Sequence, residues 1–402
     1  MTVLLDKIFL ILSILGLYFF RITTFGLLPN FLILICTVYF LFRHFQKIQF
    51  DKIIILLVVL LTLNLFSIGS ANIDLLIEKI SKCLFLSFNI FVAYLFYLHL
   101  QVFSRSYIGR VFFNFLVIIF FGLVLEFFIE PINKIEDAFS NLFYPTIISL
   151  DEGRELFLYG ALRPTFFLQE PSHVGMIFSL FTLVSLKLNN SKKRFNFILL
   201  ALFILTYIIK SPFIFIGLIY YFLFRTFNKV DLSIFIYNPK YFFLLFSFLI
   251  FCFLLIINSQ GNRIIFLANA ADTSLFFRFI LPFSNMIEAM RINPFTGLGL
   301  TSGELISEHI YTIANKFNIS LETERNRQNL FQIPNAFFDL FISFGILGST
   351  IIGFISSKLV NIKSIPWIDW FFIFLLVNTS GILSIFVYKS IFTIYLTIDK
   401  ND

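Results

Sequence analysis

Apolar run follows apolar run along this chain, and the connections between them carry too little charge to cover a soluble core. The runs at 4–20, 25–42, 53–70, 83–103, 111–129, 172–186, 195–209, 211–224, 241–257 and 335–354 match or approach the ~20 residues that take a helix across ~30 Å of hydrocarbon. A last run, 367–390, is one long helix or half of a tight pair continuing to 398. Charged residues make up 13% of the chain and hydrophobic ones 59%, where a soluble domain carries about 25% charged. The pattern predicts an all-α polytopic membrane protein, a single transmembrane domain over 1–402 with about eleven or twelve transmembrane helices. The first run follows Lys7 and ends at Arg21 with no small-residue cleavage site, so it reads as the first span and not as a signal peptide. The two short runs at 195–209 and 211–224 meet at Lys210 and Pro212, and proline starts a helix better than it continues one.

Orientation follows from lysine and arginine in the short loops. One side holds fifteen, among them Lys7, Arg43, Lys52, Arg105, Lys193, Arg225 and Lys358. The other holds only Arg21, Lys79, Lys82 and Lys210. The crowded side is cytoplasmic and the N-terminus lies there. Two long segments, 130–171 and 259–334, then become external (periplasmic-side) loops, and long loops on a compact scaffold usually carry function. In the larger one, Phe279, Ile280, Phe283, Met286, Ile287 and Met290 recur at helical spacing. They predict an amphipathic helix on the membrane surface or capping the bundle, ending near Arg291. The net charge of +7 therefore sets topology and meets anionic lipid; it does not indicate nucleic acid.

Several chemistries are excluded. The three cysteines, Cys36, Cys83 and Cys252, lie inside apolar runs with neither disulfide nor metal spacing. The 62 phenylalanines, beside four methionines and two tryptophans, read as the drift of an AT-rich genome. No Walker loop, GxGxxG, HExxH, paired CxxC or GxSxG occurs, so no cofactor or metal is expected. Glu126, His99 and Asp339 are the main ionisable residues within the spans, and each lies near a span end. A proton-coupled transporter places such groups at mid-membrane.

Three blocks remain. Arg163-Pro-Thr-Phe-Phe-Leu-Gln-Glu170-Pro-Ser-His173 enters the span at 172. A helix N-terminus offers free N–H groups and partial positive charge to an anion, and Arg163 adds a fork of donors suited to phosphate oxygens. Glu170 and His173 are candidates for proton exchange. The same residues also read as an ordinary helix start, with Glu170 or Ser172 as cap and Pro171 in the first turn. The second block runs from Arg278 to Arg291-Ile-Asn293-Pro294-Phe-Thr-Gly297-Leu-Gly299, where glycines let backbone approach a ligand or turn sharply. The third is Pro334-Asn335-Ala-Phe-Phe-Asp339 with Gly345-Ile-Leu-Gly348. Asn335 and Asp339 share a helix face, and the block also reads as a cap followed by glycines for close helix packing.

Taken in order, these blocks resemble the O-antigen polymerase (Wzy) and O-antigen ligase family, over roughly 163–348. The resemblance implies an all-helical membrane glycosyltransferase, GT-C-like in fold and working without metal or nucleotide. Such an enzyme moves glycan from undecaprenyl diphosphate onto a sugar hydroxyl at the outer face of the inner membrane. A polymerase extends another lipid-linked repeat unit of O-antigen, capsule or exopolysaccharide, whereas a ligase transfers finished glycan to lipid A core. Its partners are the undecaprenyl-diphosphate-linked oligosaccharide and membrane lipids, and a chain-length regulator is left open. Arg163, Arg278, Arg291 and Asn335 become the substrate-binding set, and Glu170 or His173 accepts the proton of the acceptor hydroxyl. Two departures count against the ligase: Pro334 stands where ligases carry a histidine, and the outer turn reads Lys210-Ser211 in place of Ser-Arg. A lipid-linked oligosaccharide flippase is the alternative from another class.

Overall fold

The computed structural model describes residues 2–24, 28–67, 73–129, 135–136, 138–139, 142–143, 162–168, 170–188, 191–227, 247, 276–300, 305–317, 319, 335–359, 369, 372–374 and 383–398. In chain order they form α1 (Thr2–Tyr18), a small ladder of β1 (Thr23–Thr24) and β2 (Leu28–Pro29), α2 (Phe31–His44), α3 (Phe50–Leu65) and α4 (Ile73–Leu100). There follow α5 (Arg105–Phe128), α6 (Pro171–Leu188), α7 (Lys192–Ile209) and α8 (Pro212–Phe227). The last elements are α9 (Leu281–Ile292), α10 (Ser307–Lys316), α11 (Ala336–Leu359) and α12 (Ile385–Ile398). The expected run at 241–257 lies outside the described residues, as do most of 130–171 and much of 259–334. The chain divides into two compact units, Met1–Val102 with Asn269–Asp402, and Phe103–Ala268.

Among the described residues, Leu76–Leu100, Arg105–Phe128, Pro171–Leu188 and Ala336–Ile355 are long and apolar enough to cross a membrane, which gives a multi-pass arrangement. A fifth span arises if α2 and α3 count as one, because Phe31–Lys47 and Phe50–Leu65 meet at 116°. Their helices have 14 and 16 residues, about 21 and 24 Å long at 1.5 Å per residue. Each falls short of a full crossing.

In the first unit, Asn30 closes the α1–α2 hairpin. Its side-chain oxygen accepts from Ile33 N at 3.0 Å, while its amide donates to Gly16 O and Phe19 O, each at 2.8 Å. A methyl at Gly16 would stand 2.8 Å from Ile33 Cγ1, so the two helices touch where the glycine lies. Between apolar helices in lipid there is no hydrophobic drive to associate; close approach and buried polar bonds take its place. Asp6 accepts two bonds from Arg43, both 3.1 Å, and one from the Tyr39 hydroxyl at 2.7 Å. His99 lies 3.0 Å from Asp6 O and 3.2 Å from His44, tying α4 to both earlier helices. Lys389 on α12 donates to the Ser13 hydroxyl at 3.2 Å and lies 4.8 Å over the Phe96 ring.

Three expectations shift. Helix α4 starts ten residues before the expected 83, so Glu78, Lys79 and Lys82 are helical, with Glu78 and Lys82 paired at 2.6 Å one turn apart. The chain turns at 383–384 and α12 begins at Ile385, so 367–390 is not one long helix. Helix α9 occupies the expected place and ends at Ile292, but its buried residues are Leu281, Pro282, Asn285 and Ala289. Phe279, Phe283 and Ile287 point outward, 42%, 49% and 44% exposed. The large loop packs as a cluster against α11, in which Phe276, Phe277, Leu281, Ala289, Leu298 and Ile310 of the loop meet Ile342.

In the second unit, α6 is almost wholly buried and packs against α5 and α8. Lys210 caps α7 in the left-handed region at φ 48°, and the chain reverses there into α8.

Candidate functional site

The first block is built around a carboxylate near the end of α5. Phe166 and Phe167 lie consecutively in the left-handed region, at φ 44° and 64°, a conformation costing a non-glycine residue roughly 1–2 kcal/mol. Their amides are taken by acidic side chains. Glu126, buried in the last turn of α5, accepts from Thr165 N at 2.8 Å and Phe166 N at 2.7 Å. Glu136 accepts from Phe167 N at 3.1 Å and from the Thr165 hydroxyl. The bond from Leu168 N to Thr165 O, 3.0 Å, closes the turn. The Phe166 ring fills the space that a side chain at Gly122 would need. Successive backbone N–H groups in such a turn make an anion-binding concavity. Here the protein's own carboxylates occupy it, and Arg163, half-buried, stands at its entrance in the chain.

The head of α6 has the form of a capped helix. Pro171 is its first residue, Ser172 donates its hydroxyl to Glu170 Oε2 at 2.9 Å, and His173 N donates to Glu170 O at 3.0 Å. Glu170 is half-buried, whereas His173 is only 3% exposed. The turn after α7 packs here. A methyl at Gly175 would stand 3.0 Å from both Phe213 Cβ and Ser211 Oγ, and the Ser179 hydroxyl donates to Phe213 O at 2.6 Å. Thus Arg163, Glu170, His173 and the Lys210–Ser211 turn belong to one unit.

The second and third blocks belong to the other unit, and they join main chain to main chain. Helix α11 breaks at Gly345, whose φ of 63° and ψ of −169° is not helical. The break frees carbonyls before it and amides after it, and the glycine loop takes both. Leu298 N and Gly299 N donate to Ile342 O and Ser343 O at 2.8 and 2.9 Å. Ile346 N and Leu347 N donate to Pro294 O and Phe295 O at 2.9 and 3.2 Å. Gly297, at φ 68°, lies so close that a methyl on it would meet Gly345 N at 2.6 Å. Gly297 and Gly345 admit each other's backbone, while Gly348 packs against Leu63 of α3, the helix packing expected of the third block.

A buried polar node holds the far end of this loop. Asn64 accepts from Leu300 N at 2.9 Å and donates to Lys79 O at 2.7 Å. Lys79, fully buried, donates to the Ser67 hydroxyl at 2.8 Å, and that hydroxyl donates to Asn64 O at 2.6 Å.

Asn335 is also buried. It caps α11 by accepting from Phe338 N at 3.3 Å, and it donates to Arg278 O at 3.0 Å. Its side chain is therefore spent on fixing the backbone at Arg278, not on display to a substrate. Asn335→Ala is expected to cost about 2 kcal/mol in thermal melting, from a lost cap and an unmet carbonyl at about 1 kcal/mol each. Asn335→Asp keeps the cap and loses only the donor, so it should melt between Asn335→Ala and the parent. Asp339 accepts the Ser343 hydroxyl at 3.1 Å within α11.

Arg291 is exposed at the end of α9, 3.4 Å from Glu288. That carboxylate leads to residues the sequence reading missed. Ser284 Oγ lies 2.9 Å from His309 Nε2, and His309 Nδ1 lies 3.9 Å from Glu288 Oε2. Ser284 and Glu288 are one turn apart on α9, and His309 comes from α10. The only advance signal was a histidine in the large loop.

The structure thus brings Arg278 to Asn335, Arg291 to Glu288 and His309, and the glycine block to Gly345; Arg163, Glu170 and His173 belong to the second unit. Compared with known proteins, this chain matches no family model, no curated protein and no solved structure.

Proposed function

We propose that the chain is a polysaccharide polymerase of the Wzy type, crossing the bacterial inner membrane eleven or twelve times with its N-terminus inside and both long loops outside. In this reading it moves glycan from undecaprenyl diphosphate to a sugar hydroxyl of another lipid-linked repeat unit. The observation that carries it is the joining of two of the three family-like blocks by four main-chain hydrogen bonds across Gly345. A glycine loop so tied to a discontinuous span is a fixed platform, with Arg278 and Arg291 on the segment leading into it.

The chemistry asks for little. The acceptor oxygen forms a bond to the anomeric carbon as the bond from that carbon to the diphosphate oxygen breaks. Diphosphate leaves with the electron pair, and the hydroxyl proton passes to a base. Catalysis can therefore rest on positioning and charge neutralisation. Arg278 and Arg291 hold the diphosphate on one unit, Arg163 is the candidate phosphate contact on the other, and no metal or nucleotide is required. Glu170 or His173 is the base that the family likeness supplies; Glu170 is the one with exposed surface.

The test uses purified protein, a lipid-linked repeat unit, no nucleotide, and a gel for longer glycans. Wild type should elongate the chain, and Arg278→Ala should slow it by about tenfold to a hundredfold, the range of a lost charge contact to a reacting phosphate. Growth on undecaprenyl diphosphate marks a polymerase, and transfer to lipid A core marks a ligase. An Arg278→Ala protein that elongates at the wild-type rate removes the assignment.

A further inference from the structure

Outside the first block, the large loop holds a second arrangement suited to proton transfer. Ser284 Oγ stands 2.9 Å from His309 Nε2 on one side of the imidazole, and Glu288 Oε2 stands 3.9 Å from Nδ1 on the other. A base in contact with a hydroxyl and backed by a third group is the signature of an activated oxygen nucleophile. Such contacts are often long before substrate binds. His309 and Glu288 each keep a quarter of their side-chain surface in contact with solvent. They are reachable, unlike His173.

We propose that His309, oriented by Glu288, takes the proton from the acceptor sugar hydroxyl, in place of Glu170 or His173. This rests on the glycan-transfer reading above. The Ser284 hydroxyl marks where an acceptor hydroxyl meets the imidazole. As the acceptor oxygen bonds to the anomeric carbon and the diphosphate departs, its proton moves to His309 Nε2. Glu288 then faces an imidazolium and stabilises it. Arg291 shares the same carboxylate oxygen at 3.4 Å. A diphosphate that draws Arg291 away leaves Glu288 to the imidazolium alone, which couples donor binding to readiness of the base. Glu170, by contrast, already accepts the Ser172 hydroxyl at the head of α6.

Among the described residues, the charged groups on α9 and α10 are Glu288, Arg291, Glu308 and Lys316, and Asp339 is on α11, which packs against α9. The experiment follows elongation by full-length protein with a lipid-linked repeat unit, across pH, using folded fractions from gel filtration. His309→Gln should lower kcat about a hundredfold, within the span for a lost general base, with KM little changed. The low-pH limb of the rate profile should vanish with it. Glu288→Gln, a positioning change, should lower kcat about tenfold with KM little changed. His309→Ala should regain rate when imidazole is added, which a merely structural histidine would not allow. Thr312→Ala, exposed on α10 with its hydroxyl bonded to Glu308 O, should match wild type. His309→Gln within twofold of wild type, or a low-pH limb that survives in it, overturns the proposal while leaving the transfer reading intact. A wild type that makes no longer glycan removes the reaction itself, and this base with it.

Discussion

Gly345→Val should yield no folded protein in detergent, while Gly353→Ala, two turns further along the same helix, should melt as wild type or slightly above it. The contrast isolates backbone geometry from helix composition. At Gly345 the φ of 63° with ψ of −169° belongs to a region essentially closed to side chains, costing of order 1–3 kcal/mol for anything else. A methyl there would also meet Phe295 C and O at 2.5 Å and Gly297 N at 2.7 Å, all backbone atoms that cannot step aside. Relief requires the glycine loop to withdraw, and the four main-chain bonds of the join go with it. At about 1 kcal/mol each, the total loss is roughly 5 kcal/mol or more, comparable to the whole stability of many domains. Around Gly353 nothing lies within 4 Å of an added methyl, and alanine is the better helix former by about 1 kcal/mol. Fluorescence-detected gel filtration and thermal melting of the two variants decide the matter. A Gly345→Val protein that elutes and melts like the parent would show the join to be dispensable.

That join also marks where sequence reading reaches its limit. Hydropathy reports which stretches prefer lipid, so α6 and α7 were legible to within about three residues, and α5 at its C-terminal end, though it begins six residues before the apolar run. It does not report what a main chain does when a distant segment offers it partners. Gly345 looked like a packing glycine because its neighbours are apolar, and the pairing of 294–299 with 342–347 connects segments some fifty residues apart that share no pattern. Charge misled in the opposite direction. Lys79 seemed to belong in a loop, yet Ser67 and the packed Gly299 loop enclose it inside α4. The stripe on α9 was correctly helical, but its side was not legible. Phe283 and Ile287 face outward, and Ala289 and Asn285 face the core.

The candidate site was legible as residue types and not as partners. Arg163, Arg278 and Arg291 stood out as arginines in long segments between apolar runs. Asn335 was readable as a cap, and its second bond, to Arg278 O, was not, because it depends on a contact across most of the large loop. His309 carried no motif. Its partners Ser284 and Glu288 gain meaning only when α10 lies against α9.

Glu126 has the second large effect. Glu126→Ala should open the turn at 165–168 and slow chain elongation about a hundredfold, as much as Arg163→Ala does. The carboxylate is the acceptor for two amides, at 2.8 and 2.7 Å, inside a turn where Thr165 is buried. Hydrogen bonds to carboxylates are worth about 1.5–3 kcal/mol each, and without them Phe166 and Phe167 have less reason to stay left-handed. Alanine therefore removes roughly 3–6 kcal/mol from a segment of a few residues, more than a local turn can lose and persist. Arg163, two residues from the first of those amides, then samples many positions, and the phosphate contact proposed for it is no longer held in one place. Glu126→Gln keeps one oxygen acceptor and turns an N–H donor toward the other amide, so it should fall between alanine and wild type. Hydrogen–deuterium exchange at the 165–168 amides, read beside the elongation rate, ties structure to activity. If those amides stay protected in Glu126→Ala and glycan still grows at the parental rate, Arg163 owes its position to something other than this carboxylate.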